Sequence, residues 1–214
     1  MPELARVFLG LVLFCALPAR AGTGGAYVGS GGMVVDCAAT AKEPPRIEAL
    51  EYWIARMSRG GDGSSPQELR RFEELSTRAE LHDFFREKTA RAGWFDHRLE
   101  YYRQLLNWDE PIVVSHPLLD TDDDGYFTEL PANCEIKQAV VRRSSRLYWA
   151  ESIRDRLDFR QRAILEMHEL VYMVGVEQYR HVTSGKTQDL IVLLLTADPA
   201  GAELSRYLSS MFVR

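Results

Sequence analysis

Three residues in one short segment, His168, Glu169 and Tyr172, have the types and spacing that could do chemistry. In zinc peptidases a helix carries the pattern His-Glu-x-x-His, which aims two imidazoles at one zinc ion and places the glutamate beside it as a general base. The segment here is His-Glu-Leu-Val-Tyr, so a tyrosine stands where the second ligand belongs. Gln178 stands where a longer form of the motif has a third histidine. The sequence therefore contains a degenerate form of the motif.

Two interpretations of this segment follow. In the first it is catalytic: His168 is a metal ligand or a base, and Glu169 is a general base. In the second, His168, Glu169 and Tyr172 form a buried polar cluster that ties a helix to a sheet by hydrogen bonds, without metal. A catalytic zinc typically takes about three protein ligands, whereas this helix supplies one imidazole, with His181 in the following loop as a further candidate. The shortage of ligands favours the polar cluster.

A second candidate metal site is acidic. Asp120, Asp122 and Asp124, followed by Gly125, match the first half of an EF-hand calcium loop. Pro131 stands where that loop needs a bidentate glutamate. Because closely spaced carboxylates repel one another unless a cation or solvent screens them, the segment is interpreted as a solvated acidic turn, with weak calcium binding as the alternative.

The start of the chain predicts export. Residues 1–21 have the form of a secretory signal peptide, in which Arg6 precedes the apolar stretch 7–17 and Ala19-Arg20-Ala21 resembles a cleavage site. The stretch is shorter than the roughly 20 residues that a membrane-spanning helix needs. Residues 22–214 are then expected to be one exported domain without a membrane span, located in the periplasm, at the outer-membrane surface or outside the cell.

Two cysteines, Cys37 and Cys134, remain after the predicted leader, which contains Cys15. In an exported protein, two cysteines most simply form one disulfide. The formal net charge of −5 argues against nucleic acid as a partner. The sequence predicts no other partner.

The elements that would position these residues follow from the spacing of apolar side chains. They predict a single α+β domain that is mostly helical with a small sheet. Ser65 followed by Glu68 has the spacing of a capping box, and Asp158 followed by Gln161 predicts another helix start. The predicted strands are 33–37, 111–115, 135–142 and 146–149. The predicted helices are 46–57, 66–90, 94–106, 158–175, 187–196 and a last one after Pro199.

These motifs together resemble a family of small uncharacterised exported proteins of Gram-negative bacteria. Its Gly-x-Gly-Gly-x-Val-Val-x-Cys start corresponds to 29–37, its Leu-Pro-x-x-Cys to 130–134, and its His-Glu-x-x-Tyr helix to 168–172. Met33 departs from the aspartate that is frequent in the family. The resemblance implies export and pairing of the two cysteines, and it brings no known activity. The C-terminal half, with a strand followed by the His-Glu helix, also resembles the core of zincin peptidases.

The sequence thus predicts an exported envelope or extracellular protein with a non-catalytic structural or binding role. The alternative is a metal-dependent, peptidase-like hydrolase that uses His168 and Glu169. No cofactor is expected under the first hypothesis, whereas zinc or calcium would accompany the alternatives.

Export gives the first test. When a bacterial host produces the full chain, the secreted protein should begin at or near Gly22, because cleavage is expected after Ala21. N-terminal sequencing or intact mass of the secreted protein measures this. An intact Met1, or a chain confined to the cytoplasm, would contradict the prediction.

Overall fold

The computed structural model describes residues 31–58, 65–118, 130–179 and 184–211. These residues form eight helices and two three-stranded sheets, which confirms the predicted α+β class. The predicted leader, the acidic residues Asp120, Asp122 and Asp124, and His181 lie outside the described residues.

The first sheet is built around the buried strand β1 (Met33–Cys37). Strands β2 (Arg46–Ala49) and β4 (Cys134–Gln138) pair with it on either side, both antiparallel. All five residues of β1 are buried, and Val34 and Val35 favour the extended backbone because they are branched at Cβ. The strand is therefore shielded on both faces and both edges.

The second sheet contains a hairpin that includes the predicted strand 146–149. Strands β5 (Val140–Arg143) and β6 (Arg146–Ala150) are antiparallel and joined by a two-residue turn, in which Ser144 has a φ of 54°. Strand β3 (Asn107–Val114) lies on the other side of β6 and runs parallel to it. Residues 135–142, predicted as one strand, are divided between the two sheets at Ala139.

Helix α6 (Phe159–Tyr179) is the central helix. It packs against strands β2 and β5 and against four other helices. It is buried on almost every side from Ala163 to Val176, as expected of a helix in a domain core. The other helices are α1 (Leu50–Met57), α2 (Gln67–Glu74), α3 (Arg78–Thr89), α4 (Gly93–Leu105), α5 (Glu151–Arg154), α7 (Gly185–Thr196) and α8 (Gly201–Met211). None of the helices in the described ranges has the length and apolarity needed to cross a membrane.

Two predicted helices are each divided in the structure. The predicted helix 46–57 begins as strand β2, since residues 46–49 pair with β1, and α1 starts only at Leu50. The predicted helix 66–90 consists of α2 and α3, with extended backbone at Leu75 between them. In both cases apolar residues keep a helical spacing across the break, so periodicity alone does not reveal it.

The capping box lies at Thr77 rather than at Ser65. The amide of Glu80 donates to Thr77 Oγ1 at 3.2 Å, and the amide of Thr77 donates to Glu80 Oε2 at 2.9 Å. This reciprocal pair satisfies two amides at the start of α3. The sequence of residues 65–68 has the same spacing, but α2 begins at Gln67 with Pro66 as its N-cap residue.

Helix α6 starts as predicted and ends later than predicted. The amide of Gln161 donates to Asp158 Oδ1 at 2.8 Å, which caps the first turn. The helix continues through Gly175 to Tyr179 instead of ending at the glycine. A glycine costs a helix about 1 kcal/mol relative to alanine, and burial of the surrounding apolar residues exceeds that cost.

The predicted disulfide joins two neighbouring strands. Cys37 is the last residue of β1 and Cys134 the first of β4; they are directly paired, with Cα atoms 4.0 Å apart and the sulfurs bonded. The two cysteines are separated by 97 positions in the chain. The bond therefore closes a long loop that includes helices α1 to α4 and strand β3.

Removal of this bond gives the second test. The double substitution Cys37→Ala, Cys134→Ala should lower the free energy of unfolding by about 4 kcal/mol, because the unfolded chain regains the entropy of a long open loop. Urea denaturation of both proteins measures the difference. Reduced wild-type protein is the matched control and should approach the double variant. An unchanged unfolding midpoint would show that the bond does not constrain the chain.

Candidate functional site

The middle of α6 carries the predicted site residues into the protein interior. His168 and Glu169 are both 0 % exposed, and Tyr172 is 3 % exposed. The three side chains lie near one another because positions 168, 169 and 172 fall on the same side of a helix with 3.6 residues per turn. The question for function is therefore which groups meet them inside the protein.

His168 meets a carboxylate that the sequence pattern does not single out. Its Nδ1 forms a hydrogen bond with Oε1 of Glu51, in the first turn of α1, and Glu51 is also 0 % exposed. In the sequence Glu51 precedes Ala55 by four positions, one helical turn, and the structure shows that both residues are buried on α1. A carboxylate at such a position needs a polar or charged partner in the core.

Glu169 meets a backbone amide. Gly32, just before β1, donates its N–H to Glu169 Oε1 at 2.8 Å. The carbonyl of Gly32 accepts hydrogen bonds from the amides of Ala139 and Val140 at 3.0 and 3.2 Å. Gly32 therefore connects α6 to the point where the chain passes from the first sheet to the second.

Close packing explains why residues 31 and 32 are both glycine. A Cβ on Gly31 would lie 1.8 Å from the carbonyl oxygen of Val140. A Cβ on Gly32 would lie 2.7 Å from Cδ2 of Leu165 on α6. The fold leaves no space for a side chain at these two positions, because the backbone itself approaches its neighbours closely.

The charge of Glu169 depends on opposing influences. Burial raises the pKa of this carboxyl to about 7, although His168, the amide of Gly32 and the guanidinium of Arg142 all favour the ionised form. Glu51, a second carboxylate, acts in the same direction as burial and is included in this value. Arg142, on β5, is 3 % exposed and donates from Nη1 to the carbonyl of Ser144 at 3.0 Å. The result is a cluster of four buried ionisable groups.

The remaining residues of the zinc-peptidase pattern are engaged differently. The rings of Tyr172 and His168 lie 6.3 Å apart between centroids, tilted by 38°. Gln178, at the place of the third ligand, donates from Nε2 to the hydroxyl of Tyr102 on α4 at 2.9 Å. Tyr172 thus packs beside His168, while Gln178 ties α6 to another helix.

The partners of His168 and Glu169 in the described residues are protein groups. Within residues 31–58, 65–118, 130–179 and 184–211, no group of three or more His, Cys, Asp and Glu side chains is arranged to hold a metal. His168 directs Nδ1 at Glu51, and Glu169 directs one oxygen at a backbone amide. These bonds assemble an ion-pair and hydrogen-bond cluster, which is the chemistry that the arrangement supports.

No protein-family model matches this chain, and no curated protein or solved structure does. The resemblances to the exported family and to the zincin core therefore stay predictions.

The raised pKa of Glu169 gives the third test. Between pH 4.5 and about 7 the unfolded chain ionises this group while the folded protein keeps its proton, so stability falls as pH rises through this range. The loss amounts to about 3 kcal/mol at most. Glu169→Gln keeps an oxygen for the amide of Gly32 and removes the titration, so the variant should lose less stability than wild type between pH 5 and pH 8.

Urea denaturation at the two pH values measures this difference. Glu203→Gln, an exposed carboxylate on α8, is the control and should follow wild type. Parallel pH dependence of Glu169→Gln and wild type would contradict the assignment.

Proposed function

We propose that this chain is an exported protein of the bacterial envelope or the extracellular space, with a structural or binding role. In this proposal His168 and Glu169 are parts of the framework rather than catalytic residues. The observation that carries it is that both side chains are 0 % exposed and are bonded to Glu51 and to the backbone of Gly32. A general base has to come within hydrogen-bonding distance of its substrate, and solvent does not reach these groups.

Export is supported by the bond between Cys37 and Cys134. Disulfides persist in oxidising compartments such as the periplasm or the extracellular space and are rare in the cytosol. The bond is thus compatible with the secretory leader that the sequence predicts.

One observation favours the hydrolase as a second candidate. The pKa of Glu169, raised by burial to about 7, lies in the range that suits a general base at neutral pH. Under this hypothesis His168 binds a metal or acts as a base, and an opening motion admits the substrate. The two candidates differ in metal content and in what the loss of His168 does.

Replacement of His168 gives the fourth test. His168→Ala should lower the free energy of unfolding by about 1–3 kcal/mol, because Glu51 then stays buried without the imidazole. Thermal or urea unfolding measures the change. His116→Ala removes an exposed histidine and is the matched control, expected within about 0.5 kcal/mol of wild type.

Metal analysis of the purified mature wild-type protein completes the test. The proposal expects no stoichiometric zinc and no effect of a chelator on the unfolding midpoint. About one zinc per chain, or a midpoint that falls on chelation, would overturn the structural role and support the hydrolase.

A further inference from the structure

A cleft runs along the face of α6 that lies away from His168. It comprises a cavity of about 360 Å³ and a neighbouring one of about 220 Å³, and Arg78 and Glu166 line both. The larger volume lies within the range of roughly 300–1,000 Å³ that is typical of small-molecule sites. Helices α3, α4 and α6 form its walls.

The larger cavity has an apolar wall, and Arg78, His82, Arg103 and Glu166 complete its lining. Its lining includes Phe85 of α3 and three residues of α6, Ala163, Met167 and Leu170. Ala79 lies at the exposed edge of the same cavity. Such a wall can take up the hydrocarbon part of a ligand, because burial of apolar surface is favourable by about 25 cal/mol per Å².

The smaller cavity is cationic. Arg78, Arg154 and Arg162 line it together with a single carboxylate, Glu166. Arg78 Nη2 donates to Glu166 Oε2 at 3.0 Å. Arg162 is held in place, since its Nε and Nη2 donate to the carbonyl of Leu157 at 3.0 and 2.8 Å. Arg154 Nη1 also lies 3.9 Å from Oδ1 of Asp155. Three guanidinium groups beside two carboxylates still leave one positive charge in excess, in a chain whose formal net charge is −5.

The three arginines all influence the same carboxyl, that of Glu166. Burial raises the pKa of its carboxyl, whereas the charges of Arg78, Arg162 and Arg154 all lower it. The side chains of Arg78 and Arg154 stay 47 % and 29 % exposed, so an incoming anion can reach both. Guanidinium groups bind carboxylate and phosphate through paired hydrogen bonds.

We infer that this cleft binds a small amphipathic anion, whose carboxylate or phosphate head lies among Arg78, Arg154 and Arg162 and whose apolar body lies against Phe85, Met167 and Leu170. The inference rests on the proposed binding role and gives it a ligand class. The site is separate from the buried cluster, so the two can be tested separately.

Calorimetric titration of the purified mature protein with dodecanoate and with dodecyl phosphate, each below its micellar concentration, tests the inference. At least one should bind saturably with one molecule per chain, and the preferred probe identifies the head group. Dodecanol and dodecyltrimethylammonium, which keep the chain and lack the anion, should bind at least about tenfold more weakly. Equal binding of the neutral or cationic probe would overturn the inference.

Substitutions at the cleft sharpen the test. Arg78→Gln and Arg154→Gln should each weaken binding about tenfold, the equivalent of one charge-assisted hydrogen bond. Glu166→Gln should tighten binding, because it removes the competing carboxylate. Arg70→Gln, an exposed arginine on α2, is the matched control and should bind like wild type.

The apolar part has its own variant. Ala79→Trp places a large side chain at the exposed edge of the cavity and should weaken binding of the twelve-carbon probes. Because Ala79 and Arg154 are not in the core, these variants should fold even if Arg78→Gln does not. The ligand class would be overturned if neither Ala79→Trp nor Arg154→Gln changed the affinity. It would also be overturned if neither anionic probe bound to the folded protein. Neither result would bear on the metal content or on the stability of His168→Ala, which test the proposed function.

Discussion

The free energy of placing charged groups in a protein interior is the constraint on which this fold depends. A carboxylate or an imidazolium loses its hydration when it is buried, and the loss amounts to several kcal/mol unless partners replace the water. Glu169 accepts a hydrogen bond from the amide of Gly32, which is 137 positions away in the chain. His168 is hydrogen-bonded to Glu51, which is 117 positions away. Separation of the N-terminal strand or α1 from α6 would therefore leave buried polar groups without these partners, so the bonds favour one arrangement of the chain.

Strand β1 is held at both ends by different physical means. Before the strand, Gly32 bonds to Glu169. At its far end, Cys37 is linked covalently to Cys134, and Asp36 forms paired hydrogen bonds with Arg156 at 2.6 and 2.9 Å. The hydrogen bond from Arg156 lowers the pKa of Asp36, so this ion pair persists to a lower pH than an unpaired aspartate would allow. The covalent link limits the unfolded chain, whereas the hydrogen bonds stabilise the folded one, and the two contributions are independent in origin.

Local patterns in the sequence are enough to predict an element whose ends are marked by a particular residue, such as a glycine, a cysteine or a capping aspartate. Strand β1 has two β-branched residues between glycine and cysteine, and α6 begins at a capping aspartate; both were predicted correctly. The break between β2 and α1 is not predictable in this way, because the apolar spacing is continuous across it. Residues 46–49 are extended only because they pair with β1. The role of Glu51 was missed for the same reason, since its partner is distant in the chain and a glutamate on a short helix ordinarily faces solvent.

The two faces of α6 connect the buried cluster with the cleft. Ala163, Glu166, Met167 and Leu170 recur at positions i, i+3, i+4 and i+7 and line the cleft, while His168 and Glu169 lie on the opposite arc. A helix covered on both sides does not show the one-sided apolar pattern of a surface helix, and residues 170–176 of α6 carry no charged side chain. The bonds of His168 and Glu169 fix the rotation of α6 about its axis. That rotation sets the direction in which Glu166 and the apolar wall face, so the buried cluster orients one wall of a cleft that it does not line.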